Sequence, residues 1–91
     1  MGDNIDEIEK NKEIAFAYFL TKAISRRFKL YLQLYGCEED DVECIKEAHY
    51  DATTEVLERF GFSERTAEKI AERTWKKFEK NIKEVVKEVM N

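Results

Sequence analysis

The chain has 91 residues, a formal net charge of −4, 40% charged and 43% hydrophobic residues. That length supports one domain with one core, and the regular recurrence of Phe, Leu, Ile and Val excludes a disordered chain. Pro is absent and Gly occurs only at Gly2, Gly36 and Gly61, which excludes a fold that turns often. Abundant Lys and Glu, with Gln33 the one Gln, give the composition a thermophile-like cast. The N-terminus MGDNIDEIEK is acidic and carries no apolar leader. The richest apolar stretch, from Ala15 to Tyr35, is interrupted by Lys22, Arg26, Arg27 and Lys29, which a membrane span would not carry. The expectation is a cytoplasmic protein without a membrane segment, in which Cys37 and Cys44 are free thiols.

Gly36 and Gly61 cut the chain into three segments of helical period, and each stands where a helix ends in a left-handed residue. The spacing predicts helices near 4–35, 39–60 and 64–90. Short connections predict an all-α, single-domain, antiparallel three-helix bundle running up-down-up over residues 1–91.

Helix 1 opens on Asn4, with Glu7 as its capping-box partner. It carries two apolar stripes. One runs through Ile14, Ala17, Tyr18, Thr21, Ser25, Phe28, Leu32 and Tyr35. The other runs through Phe16, Leu20, Ala23, Arg27, Leu30 and Leu34, alternating steps of four and three, the spacing of a coiled-coil seam. Two partner helices cover one stripe, so the second is expected to meet another copy of the chain, giving a homodimer. In an antiparallel pairing Phe16 faces the partner's Leu34, Leu20 the partner's Leu30, and Arg27 the partner's Ala23. Helix 1 has no acid from Ile14 to Tyr35, so Arg27 is expected to reach a helix 2 carboxylate at the rim, Glu47 or Asp51.

Glu38, Glu39, Asp40 and Asp41 suit the positive end of helix 2. The segment CEEDDVEC matches neither a zinc pattern nor a calcium loop. Helix 2 puts Val42, Ile45, His49, Ala52, Val56 and Phe60 on one face and its acids on the other. Glu43, Glu47 and Asp51 are the residues an all-helical metal-dependent hydrolase would use. The only E-x-x-E spacing, Glu55 with Glu58, is too common to carry that reading, and no metal or cofactor is expected. Facing positions on tightly joined antiparallel helices bring Ser25, His49 and Thr74 into one layer. As chemistry that layer would be a nucleophile and its base. It lacks an acid to orient the ring and an oxyanion element, so it reads as a buried, hydrogen-bonded histidine, with no catalytic residue assigned.

Helix 3 starts from Ser63 as cap, with Phe62 placed to staple onto Ala67. Its apolar stripe is Ala67, Ile70, Ala71, Thr74, Phe78, Ile82, Val85 and Val89, with Trp75 at the edge. Opposite lies a ridge of Arg65, Lys69, Arg73, Lys76, Lys80, Lys83 and Lys87. At 1.5 Å per residue it covers about 33 Å, a length that tracks phosphates on a duplex. Interleaved Glu residues at helical spacing, in a chain that is acidic overall, favour an ordinary solvated face. The function these patterns favour is a small, non-catalytic interaction or regulatory protein acting as a homodimer. The alternative is a nucleic-acid-associated protein, or one that holds an acidic protein, through the helix 3 ridge.

Overall fold

The computed structural model describes the backbone from Gly2 to Met90 and the side chains from Glu9 to Met90. The expected Asn4–Glu7 capping box lies outside the described side chains. The chain is all-helical, with no strand among the described residues, and its three helical segments are compatible with a three-helix bundle. Helix α1 is Gly2–Tyr35 and α2 is Val42–Arg59. The third segment is divided: α3 is Glu64–Phe78, Glu79–Asn81 tightens into a 3-10 turn, and α4 is Ile82–Met90.

Both internal glycines end a helix for the reason glycine is favoured there. Gly36 has φ +65° and Gly61 φ +97°, a region other residues enter at a cost. Around each, the next two amides turn back onto the last carbonyls. Gly36 N–H bonds to Gln33 and Cys37 N–H to Leu32, while Gly61 N–H bonds to Glu58 and Phe62 N–H to Leu57. This is the Schellman pattern, which satisfies carbonyls that would otherwise be unpaired. Ser63 caps α3, its Oγ accepting from Thr66 N–H at 3.2 Å.

Helix 2 begins later than residue 39. Glu38 to Asp41 form the connection, and Asp41 is the cap, its carboxylate accepting from Cys44 N–H at 3.3 Å. The acids thus serve the helix start from just outside it. The same connection corrects the expectation of free thiols: Cys37 and Cys44 form a disulfide across it, their Cα atoms 5.5 Å apart. The Gly36 turn and the Asp41 cap bring the two ends of the connection within disulfide reach.

The core is Phe28 and Leu32 of α1, Ile45, Ala48 and Ala52 of α2, Trp75 of α3 and Val86 of α4. Alanines at the α2–α3 contact, Ala48, Ala52, Ala67 and Ala71, are fully covered, so the two backbones approach closely. The expectation of one regular helix over 64–90 is corrected by the 3-10 turn. Such a turn winds about 120° per residue instead of 100°, so three residues advance the phase by roughly 60°. The apolar face of α3 lies on α2, whereas α4 after the turn also packs on α1.

Helix α1 is far longer than its neighbours. Its 34 residues extend about 51 Å and the 18 of α2 about 27 Å. The surplus lies at the N-terminal end, where every residue from Glu9 to Phe19 is exposed.

Candidate interaction surface

The overhang of α1 carries the run IAFAYFL, Ile14 to Leu20, which is apolar around the whole helix. Ile14 is 62% exposed, Phe16 45%, Tyr18 53% and Phe19 62%. These four side chains expose on the order of 400 Å². Summed around the helix, this is as much as the largest apolar patch of an ordinary monomer. From another element Phe60, at the end of α2, reaches them, its ring meeting Phe16 edge-on at 5.6 Å. Lys22 adds an ammonium 5.0 Å from the Tyr18 ring.

The second stripe of α1 leads from this overhang into a groove between α1 and α2. The groove encloses about 410 Å³ and is lined by Ala23, Arg26, Arg27, Leu30, Val56, Arg59 and Phe60. Of the residues expected at a dimer contact, Leu20, Ala23 and Arg27 are half-buried, and Phe16, Leu30 and Leu34 are exposed. The floor is apolar and the rim holds three guanidinium groups.

Arg27 does not wait for a partner from another copy. Its guanidinium lies 3.9 Å from Glu55 of its own chain, and Arg59 binds the same carboxylate at 3.2 Å. The expected partners Glu47 and Asp51 are displaced by one to two turns. The reason is the connection: six residues, Gly36 to Asp41, separate the helices, and the register shifts from the one a tight loop would give. Two positive groups on one carboxylate leave the cluster net positive, with Arg26 adding to it.

Beside this cluster, Tyr31 donates to Glu55 and Tyr35 donates to Asp51, the latter at 2.7 Å. The two rings stack at 5.4 Å. The bond to Asp51, helped by burial, pushes the Tyr35 phenol up to about 12, and the bond to Glu55 raises Tyr31. Both tyrosines therefore remain proton donors and bracket α1 against α2. The ladder is not among the sequence expectations, because the period of α2 places its acids on the face away from the apolar one. The signal was present: Tyr31 and Tyr35 are spaced four apart, as are Asp51 and Glu55.

His49 is 2% exposed. Its Nε2 is 2.9 Å from Thr74 Oγ1, and its Nδ1 is 3.5 Å from Thr53 Oγ1. Thr74 gives its single hydroxyl proton to the carbonyl of Ile70, 2.9 Å away. With the Thr74 hydroxyl so committed, a ring proton on Nε2 donates to Thr74 and Nδ1 faces the Thr53 hydroxyl as acceptor. Phe28, Trp75 and Phe78 surround the ring, with centroids at 5.7, 5.9 and 5.0 Å. Burial lowers the His49 pKa below its ordinary value. Ser25 does not join this layer. It is exposed, on the side of α1 where Lys29, Glu88 and Val89 lie. The longer connection again shifts the register, and Phe28 takes the place beside the ring. The expected pairing of Ser25 with His49 is therefore not formed.

The basic residues of the third segment, Arg65, Lys69, Arg73, Lys76, Lys80, Lys83 and Lys87, are all exposed. The 3-10 turn rotates Lys83 and Lys87 by roughly 60° from the line of the first four. Among the described residues, no group of three His, Cys, Asp or Glu side chains could hold a metal ion, and no helix is long and apolar enough to cross a membrane. No family model, curated protein or solved structure matches the chain.

Proposed function

We propose that the chain is a non-catalytic helical interaction module, of the kind used to regulate or scaffold, and that it works as a homodimer built on α1. The single observation that carries this reading is the exposure of Ile14, Phe16, Tyr18 and Phe19 together on a helix that outruns its bundle. Leaving those aromatic rings in water forgoes most of the roughly 1.5–3 kcal/mol that each would yield on full burial. A second copy offers the same surface in return, and a two-fold axis lets one patch serve both chains. In this arrangement each bundle runs up-down-up with antiparallel neighbours, an order supported by the pairs Tyr35–Asp51 and Tyr31–Glu55.

Light scattering or sedimentation equilibrium at micromolar concentration tests the reading. The expected mass is twice 10.8 kDa. Phe19→Glu, at a position that is 62% exposed, is expected to give a monomer that keeps the cooperative thermal melt of the bundle. A wild-type protein that stays at 10.8 kDa overturns the proposal.

A further inference from the structure

Charge is distributed along α1 in two blocks. The first thirteen residues carry Asp3, Asp6, Glu7, Glu9 and Glu13 against Lys10 and Lys12, whereas Thr21–Tyr35 carries Lys22, Arg26, Arg27 and Lys29 with no acid. A pairing centred on Ser25, with Phe16 opposite the partner's Leu34, would set the two basic blocks against each other. The local acid that could separate them, Glu55, is already shared by Arg27 and Arg59. It would also leave the most exposed aromatic ring, Phe19, away from the centre of contact.

We propose instead that the α1 overhang of one copy docks antiparallel into the α1–α2 groove of a second, with the two-fold axis passing between Ala17 and Tyr18. This rests on the self-association proposed above and fixes its register. The helix row that lines the groove then maps onto itself. Phe16 lies opposite the partner's Phe19, Lys12 opposite the partner's Ala23, and Glu9 opposite the partner's Arg26, each step alternating by three and four residues as an antiparallel seam requires. The four aromatic rings at the centre meet the Phe60 rings that already close the ends of the grooves.

The electrostatic fit comes from the flank. Glu9 and Glu13, four residues apart, share one side of the helix. A two-fold axis across an antiparallel pair keeps corresponding flanks on the same side. The Glu9–Glu13 flank of the docked helix therefore runs along the side where α2 stands, past Arg27 and Arg59. Those two guanidiniums share the Glu55 carboxylate, at 3.9 and 3.2 Å, so the groove has positive charge left to satisfy. The occupant is thus specified twice, by an apolar centre and by an acidic flank, and a second copy of this chain supplies both. Each bundle gains the partner's overhang as a fourth helix.

Two charge-reversed variants test the register. Glu9→Lys with Glu13→Lys makes the docking flank basic. Arg26→Glu with Arg59→Glu makes the receiving groove acidic, at two exposed positions. Alone, each variant is expected to dimerise at least about tenfold more weakly than wild type, since like charges are brought together. Mixed in equal amounts they are expected to recover a heterodimer, because both of its grooves then hold opposite charges. Cysteines at Lys12→Cys and Ala23→Cys are expected to link the two chains on a non-reducing gel. A wild-type dimer whose reversed variants associate unchanged, or whose mixture recovers nothing, overturns the register and leaves self-association standing. A wild-type monomer removes both.

Discussion

His49 makes the stability of this bundle depend on pH near neutrality, and the size of the effect follows from its surroundings. The ring is shut among Phe28, Trp75 and Phe78, and its polar neighbours are the hydroxyls of Thr53 and Thr74 and the backbone of Ala71, whose hydrogen bond opposes part of the effect of burial. Burial lowers the folded pKa below the ordinary value of about 6.5. Between that value and the folded pKa, the unfolded chain binds a proton that the folded one refuses. Stability is therefore complete above about pH 6.5 and falls as pH drops through it, until the folded pKa is reached and the loss stops. If the folded ring stays neutral throughout, lowering pH from about 7.5 to 5.5 costs at most about 1.4 kcal/mol. For a domain of this size that lowers Tm by about 5–10 °C. The carboxylates titrate at the lower edge of this window, so the informative quantity is the difference between wild type and His49→Leu. The variant is expected to lose about 1–3 kcal/mol at pH 7.5, because Thr53 and Thr74 lose their buried partner. It is also expected to lose the pH slope that belongs to the ring. Thermal melts followed by circular dichroism at fixed protein concentration measure both. Equal losses in wild type and His49→Leu between pH 7.5 and 5.5 would refute the assignment of a buried neutral imidazole.

Two further outcomes are expected. Replacing the disulfide with Cys37→Ser and Cys44→Ser opens a loop of eight residues and should lower stability by about 2.5 kcal/mol in a urea titration; a variant as stable as wild type would show that the Gly36 turn and the Asp41 cap hold the connection unaided. The basic ridge is expected to behave as a solvated face, with no retention on duplex DNA at physiological salt. Retention that falls steeply with salt and vanishes in Lys76→Glu with Lys80→Glu would favour nucleic-acid binding instead.

The helices were legible because their punctuation is local. Gly36, Gly61 and Ser63 act within a few residues of themselves, and period alone separates the faces of α2 and α3. What the sequence hid was set by the connections. Whether Glu38–Asp41 begins a helix or precedes one differs by a few residues, and that difference decides whether Ser25 or Phe28 meets His49 and which carboxylate meets Arg27. The disulfide escaped for the same reason, since only the folded connection brings Cys37 to Cys44. The 3-10 turn has no composition of its own: EKN reads as well in a regular helix. On the interaction surface, the apolar surplus of α1 could be read from its two stripes. Its position at one end could not, because that depends on how far α2 and α4 extend alongside.

Under the proposed self-association, the length mismatch between α1 and α2 makes concentration a folding variable. From Phe19 back to Glu9, α1 has backbone hydrogen bonds but almost nothing packed on it, and an isolated helix of that length is marginal in water. The segment from Ile24 to Tyr35 opens only with the whole bundle, while Glu9 to Phe19 opens on its own. Amide exchange should therefore be graded along a single helix, slow at Phe28 and Leu32 and fast at Ile14. With the second copy proposed above, raising protein concentration should slow the fast end and leave the slow end unchanged, Glu9 to Phe19 then being completed by mass action.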